Sequence, residues 1–219
     1  MRSLNEIFKT IRSDKGVDYH NYTPVYEYYF EPLRNKEIVF LELGLGDKTS
    51  LNREGEDLFA FQEYFPNAWI VGIDNDVNKL YSDERIRTYC CDQTDADKLK
   101  EIIKNEGNPF VILDDASHIQ SNTISSFEIL FPLLKSGGLY CIEDTVTSYW
   151  PSWGGVDKVF EDYKFEHDTI MRYMLKMCHC INLKRQETFN PPQNIYIPDW
   201  IKQIDSIHFH HSQIIIKKK

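Results

Sequence analysis

Short apolar runs rich in Val, Ile and Phe alternate along the chain with segments of helical period. The runs Glu37 to Leu43, Trp69 to Asp74, Ile86 to Cys91, Phe110 to Asp114 and Leu139 to Ile142 predict strands. Between them, Gly55 to Phe65, Val77 to Ser82, Thr94 to Asn105 and Ser121 to Leu134 read as the crossover helices that parallel strands require, so a mostly parallel sheet is expected. After Trp150 the alternation stops. A predicted helix, Val159 to Met177, leads into a proline-rich stretch, Pro191 to Pro198, and then a terminal pair, Ser206 to His210 and Gln213 to Lys217, that reads as a closing hairpin. Two helical segments, Leu4 to Arg12 and Pro24 to Leu33, precede the first strand and are expected to cover the active edge of the sheet. No repeat or linker divides the chain, which predicts one domain over 1–219, with a helical cover at 1–36 and a core at 37–219.

Composition narrows the class. With 42% hydrophobic and 27% charged residues the chain is of globular type, able to bury a core. A net charge of −9 lacks the electrostatic footprint of a nucleic-acid binder. The longest apolar run, near Ile129 to Leu134, is far too short to span a bilayer, and Arg2, Glu6 and Lys9 stand where a secretory signal needs apolar residues. A cytoplasmic protein with no membrane or nucleic-acid partner is expected, and a homo-oligomer is left open. The five cysteines read as structural thiols, Cys178-His179-Cys180 as a helix end without a second metal pair, and Lys217-Lys218-Lys219 as a solvated end.

Leu41-Glu42-Leu43-Gly44-Leu45-Gly46 closes the first strand, where open parallel sheets place their ligands and glycines permit close backbone approach. The loop fails as a dinucleotide fingerprint, because its third glycine would fall on Thr49 and Glu42 adds negative charge where a pyrophosphate would sit. A cofactor with a positive group fits better, and S-adenosylmethionine carries a sulfonium and an ammonium. Asp74 closes the second strand, placed to accept ribose hydroxyls, and Asp92-Gln93 closes the third, offering an acceptor and an amide to an adenine edge. Each could instead cap the next helix. The expected cofactor set is Glu42, Gly44, Gly46, Asp74, Asp92, Gln93 and, at the end of the fourth strand, Asp114.

Asp114-Asp115 and Glu143-Asp144 end runs expected to be neighbouring parallel strands, ~4.8 Å apart. Carboxylates gathered so closely repel one another unless a cation joins them, and an all-oxygen set suits Mg²⁺ better than Zn²⁺. The alternative is that Asp115 and Asp144 cap helices while Glu143 faces solvent. His118, three residues beyond Asp115, favours chemistry, since it could reach a metal-held substrate and titrates in the range of a general base. His167, His179, His208, His210 and His211 read as structural. Tyr149-Trp150 and the loop Pro151 to Gly155 follow the acidic pair and are expected to line an acceptor pocket.

These residues resemble the metal-dependent sugar O-methyltransferases of macrolide biosynthesis, of the mycinamicin VI 2''-O-methyltransferase type. The resemblance covers Asp14-Lys15 with His20 and Tyr22, the glycine loop, Tyr64 to Ala68 with Gly72-Ile73-Asp74, Asp92-Gln93, Asp114 to His118, Gly137 to Asp144, Ser148-Tyr149-Trp150 and Ile207 to Ser212. Departures are Ala116, commonly Gly in the family, and Thr145-Val146 after the acidic pair. The resemblance implies a class I methyltransferase fold, with a seven-stranded mostly parallel sheet whose last strand is antiparallel. It also implies Mg²⁺ on Asp115, Glu143 and Asp144, with His118 as the base, and an O-methyltransferase acting on a sugar-containing small molecule. Other oxygen acceptors (a phenol, a catechol or a phosphorus-containing group) and a non-catalytic S-adenosylmethionine-binding scaffold are the rival readings.

Overall fold

The computed structural model describes residues 1–11, 13–46, 56–157, 168–183 and 197–219. Five strands are parallel: β1 (Val39–Leu43), β2 (Trp69–Asp74), β4 (Ile86–Cys90), β5 (Val111–Asp114) and β6 (Leu139–Ile142). With β3 (Ser82–Asp83), β7 (Ile204–His210) and β8 (Gln213–Lys218) they form one sheet in the order β3-β4-β2-β1-β5-β6-β8-β7. The terminal hairpin is present, and β8 runs antiparallel to both β6 and β7. The strand order therefore departs in opposite directions from β1 and β5. That switch point opens a crevice at the carboxyl ends of the strands.

The eighth strand and a missing helix have one cause. Val77 to Ser82, expected as a crossover helix, is too short for one: Asp76 accepts from the Asn78 amide, a single 3-10 turn spans Val77–Lys79, and the chain then folds back as β3 against β4. The other crossovers are α3 (Glu56–Tyr64), α4 (Ala96–Glu106) and α5 (Gln120–Leu130), preceded in the chain by α1 (Leu4–Ile11) and α2 (Thr23–Phe30). The last helix, α6 (Ile170–Leu183), runs past its expected end and contains Cys178-His179-Cys180. The beginning of the predicted helix, with His167, and Pro191-Pro192 lie outside the described residues.

Side chains alternate across the strands, so each strand feeds two cores. On one face Phe40, Ile70, Val111 and Leu113 pack with Phe8, Tyr26, Phe30, Phe61 and Phe65 of the N-terminal helices and α3. On the other Leu41, Leu43, Ile112, Tyr140 and Ile142 pack with Leu99, Phe127, Leu130 and Met174 of α4, α5 and α6. Lys218 does not belong to a solvated end. It is buried in β8, and its ammonium donates to the carbonyls of Phe131, Pro132 and Leu134, closing the turn after α5. Among the described residues no helix is long and apolar enough to cross a membrane.

Candidate active site

The same alternation decides which acidic side chains meet. On β1, Phe40 lies in the core covered by the N-terminal helices and Leu41 in the opposite one, so Glu42 turns toward the N-terminal helices. Asp115 and Glu143, one residue beyond the paired Asp114 and Ile142, turn the same way. Asp114 turns oppositely. Its carboxylate accepts from the hydroxyls of Ser126 and Tyr140, and burial pushes its pKa up to about 6 against those two donors. Asp114 thus does not reach the cofactor position expected for it, because it falls on the α5 face of the pleat.

A cavity of about 470 Å³ lies over the switch point, lined by Gly44, Gly46, Asp74, Asp92, Gln93, Asp115, His118 and Asp144 among others. Gly44 and Gly46 have φ of 88° and 78°. A Cβ on Gly44 would stand 2.1 Å from the Asp115 carbonyl oxygen, so only glycine lets the two loops approach, whereas a Cβ on Gly46 would meet no described residue within 4 Å. Asp74 accepts from the Leu45 amide at 2.9 Å and the Asp76 amide at 2.8 Å, with Lys79 Nζ at 3.3 Å, which fixes its carboxylate at the cavity wall with lone pairs to spare. Asp92 Oδ1 accepts from the hydroxyl and amide of Thr94, which holds its pKa below the ordinary value. Gln93 Oε1 accepts from the Ser117 amide at 3.0 Å, tying the end of β4 to the loop that carries His118. Thr49 lies outside the described residues.

Beside this cavity the carboxylates have a cation that the reading of the sequence gave no role. Lys15, 1% exposed, donates to Asp115 Oδ2 and to Glu143 Oε2 at 3.0 Å, and lies 3.3 Å from Asp57 Oδ2. Burial alone would lower its pKa, but the pull of Asp115, Glu143, Asp57 and Glu42 more than offsets that and holds it well above the lysine value. Burial drives the Glu42, Asp57 and Glu143 carboxyls upward. Tyr26 donates to Glu143 Oε1 and Tyr22 to Asp144 Oδ1, so α2 and the residue before it orient the acidic pair. His118 Nε2 stands 3.7 Å from Asp115 Oδ1 and 3.5 Å from Asp144 Oδ2.

Asp115, His118 and Asp144 have donor atoms within 4.8 Å of one another, as do Glu42, Asp57 and Asp115. The first group faces the cavity and suits a hard divalent cation. Glu143, expected as a third ligand, is in neither group: both of its oxygens are taken by Tyr26 and Lys15, and it does not line the cavity. Glu42 is also behind the wall rather than in it, 1% exposed and with Oε2 lacking a hydrogen-bond partner among the described residues. Tyr149 and Trp150 do not line the cavity either. A 3-10 turn over Thr145–Tyr149 carries them outward, to 38% and 47% exposure, and a second over Pro151–Trp153 returns Trp153 to the wall, its ring 6.0 Å from that of His118.

No family model matches the chain. It is 40% identical over 153 residues to a mycinamicin VI 2''-O-methyltransferase of Micromonospora griseorubida, across 69% of this chain and 38% of that protein. It is 29% identical over 208 residues to an 8-demethyl-8-alpha-L-rhamnosyl tetracenomycin-C 2'-O-methyltransferase of Streptomyces olivaceus, across 94% of this chain and 52% of the relative. The chain thus spans about half the length, or less, of these curated relatives. Among solved structures, the methyltransferase MycE of the mycinamycin biosynthetic pathway, in complex with Mg and SAH, superposes with a TM-score of 0.87 at 29% identity. The match covers 99% of this chain and 54% of MycE.

Proposed function

The chain is a homologue of the sugar O-methyltransferases of natural-product biosynthesis and has the class I methyltransferase fold, and from that premise we propose that it methylates a hydroxyl of a sugar-containing small molecule, with S-adenosylmethionine as donor and Mg²⁺ as its metal. The observation that carries this reading is a single cavity lined both by Asp74, Asp92 and Gln93 and by Asp115, His118 and Asp144. The first set suits a nucleoside and the second suits a cation and a proton. In this reading residues 1–219 work as one domain. All five cysteines are free, which supports a reducing, cytoplasmic setting.

The residues present fit both groups. Asp74 would take the ribose hydroxyls and Asp92-Gln93 the adenine edge. No described residue lies within 4 Å of a Cβ built on Gly46, which leaves room beside the glycine loop for the ligand. Bound S-adenosylmethionine supplies an electrophilic methyl group. Asp115 and Asp144 would hold the divalent ion, whose charge makes a nearby hydroxyl easier to deprotonate. Lys15 and Tyr22 fix those two carboxylates. His118 Nε2 would accept the hydroxyl proton as the acceptor oxygen attacks the methyl carbon, and Trp153 offers an apolar face to a sugar ring. Much of the rate then comes from positioning.

Transfer of labelled methyl from S-adenosylmethionine across a panel of glycoside, catechol and phosphorylated acceptors tests the proposal. Glycosides should be the labelled class, EDTA should abolish the reaction and Mg²⁺ restore it. Full transfer in EDTA, with metal content checked, would remove the metal from the proposal, and labelling confined to catechols would change the acceptor.

A further inference from the structure

The two candidate cation groups share Asp115, and that carboxylate is split between them. Its Oδ2 accepts from Lys15 on the side of Glu42 and Asp57, while Oδ1 faces His118 on the side of Asp144. The outer group opens on the cavity. The inner one lies under the N-terminal cover, and there Lys15 Nζ pairs with Asp115, stands 3.3 Å from Asp57 and also donates at 3.0 Å to Glu143, which belongs to neither group. The ammonium is delivered by a fixed backbone: the Lys15 carbonyl accepts from the amides of Tyr22 and Thr23, and its own amide donates to Ser13 Oγ. One inner oxygen is still unpartnered among the described residues: the Lys15 ammonium donates to Asp115 and Glu143 and stands beside Asp57, and Glu42 Oε2, fully buried, receives no hydrogen bond from them.

We propose that Lys15 is the resident cation of a two-cation acidic site bridged by Asp115: its ammonium fills the inner position permanently and so restricts divalent metal to the outer one. A buried carboxylate cluster without a counter-cation is strongly disfavoured. A second divalent ion would satisfy the inner group as well, and its hard oxygen set would bind one. A tethered ammonium offsets part of that negative charge without drawing on free metal. It also makes completion of the site depend on the segment before α2, so the N-terminal cover and the outer cation position share the orientation of Asp115. Lys15 is thus a positioning residue that sets how many ions the site holds. The inference rests on the reading above only for the identity of the outer ion.

Titration of the full chain with Mn²⁺, following the free ion by electron paramagnetic resonance, reads this directly. Lys15→Ala vacates the inner position and should bind one more Mn²⁺ per chain than the wild type. Lys15→Arg keeps a cation there and should match the wild type, and Lys15→Ala combined with Asp57→Asn should lose the extra ion. Should Lys15→Ala be unstable, its melting temperature should rise with Mn²⁺ by more than that of the wild type. An equal Mn²⁺ count in wild type and Lys15→Ala overturns the proposal, as does a Lys15→Ala chain that stays unfolded at every Mn²⁺ concentration. A wild type that binds no Mn²⁺ beside a Lys15→Ala chain that binds one would instead sink the outer metal and leave the assignment of Lys15 standing.

Discussion

His118 and Asp144 are both held in the left-handed backbone region, at φ of 55° and 51°, facing one another across the cavity mouth. That conformation is unfavourable for most side chains and tolerated best by Asn, Asp and His, so the backbone itself limits what can stand there. It also dictates the variant to use. His118→Asn keeps the backbone conformation but has no basic nitrogen to take a proton, and it should lower kcat by about 10² to 10⁴ while leaving the affinity for S-adenosylhomocysteine unchanged. An Asn variant with wild-type kcat would return His118 to a structural role. Asp114 makes a different prediction, about stability. Its carboxyl titrates at about 6 in the fold against an ordinary 3.8, so between those pH values the folded chain binds the extra proton. Its contribution is fully present below about pH 4 and is lost as the pH rises through 6, a swing of about 3 kcal/mol. Asp114→Asn carries no charge at any pH, and its urea-unfolding stability should therefore be flatter between pH 4 and 6 than that of the wild type. Parallel pH profiles in the two proteins would show that Asp114 does not carry this proton.

At the scale of elements, the five parallel strands, the terminal hairpin and the polar residues at the strand ends were legible because the strands are short segments rich in apolar residues, with β2, β5 and β6 each stopped by a carboxylate. Counting strand parity as well would have separated Asp114 from Asp115 and Glu143. Treating all four carboxylates as one cluster ignored that neighbours in a strand point to opposite faces. Lys15 was beyond the reach of pattern, since nothing local links a turn residue to carboxylates about 100 positions away. Which aromatic of the expected acceptor segment reaches this cavity is decided by turn chemistry. Pro151 opens a 3-10 turn and Gly154, at φ of 78°, closes it, which brings Trp153 inward and leaves Trp150 outside. Gly155 then packs where a Cβ would lie 2.4 Å from the Thr147 carbonyl oxygen, fixing the loop against the preceding turn. Trp153→Ala should accordingly raise the acceptor KM several-fold with little change in cofactor affinity, whereas Trp150→Ala should leave both unchanged. The reverse ranking in steady-state kinetics would restore Trp150 as the acceptor wall.

Across the whole molecule, the sheet keeps two functions on separate sides of one wall. The N-terminal helices and α3 enclose the buried acidic group, while the crevice over the switch point remains open to a ligand. The crevice is selective by charge. Among the described residues five aspartates, Asp14, Asp74, Asp92, Asp115 and Asp144, line it with Lys79 as the one lysine or arginine of its wall. A dinucleotide would bring its pyrophosphate into that negative field, whereas S-adenosylhomocysteine brings an ammonium and a single carboxylate. Binding to the folded state alone stabilises it by about 2.7 kcal/mol at a ligand concentration 100 times Kd. For a chain of this size each kcal/mol moves Tm by roughly 2–4 °C. Saturating S-adenosylhomocysteine should therefore raise Tm by about 5–10 °C, and the same concentration of NADH should leave it unchanged. The shift should survive Lys15→Arg, since that variant keeps a cation on Asp115, and should shrink in Asp74→Ala, which removes the carboxylate fixed by the Leu45 and Asp76 amides. If NADH raised Tm as much as S-adenosylhomocysteine, the negative field would not be discriminating between ligands, and the glycine loop would have to be reassigned to a pyrophosphate.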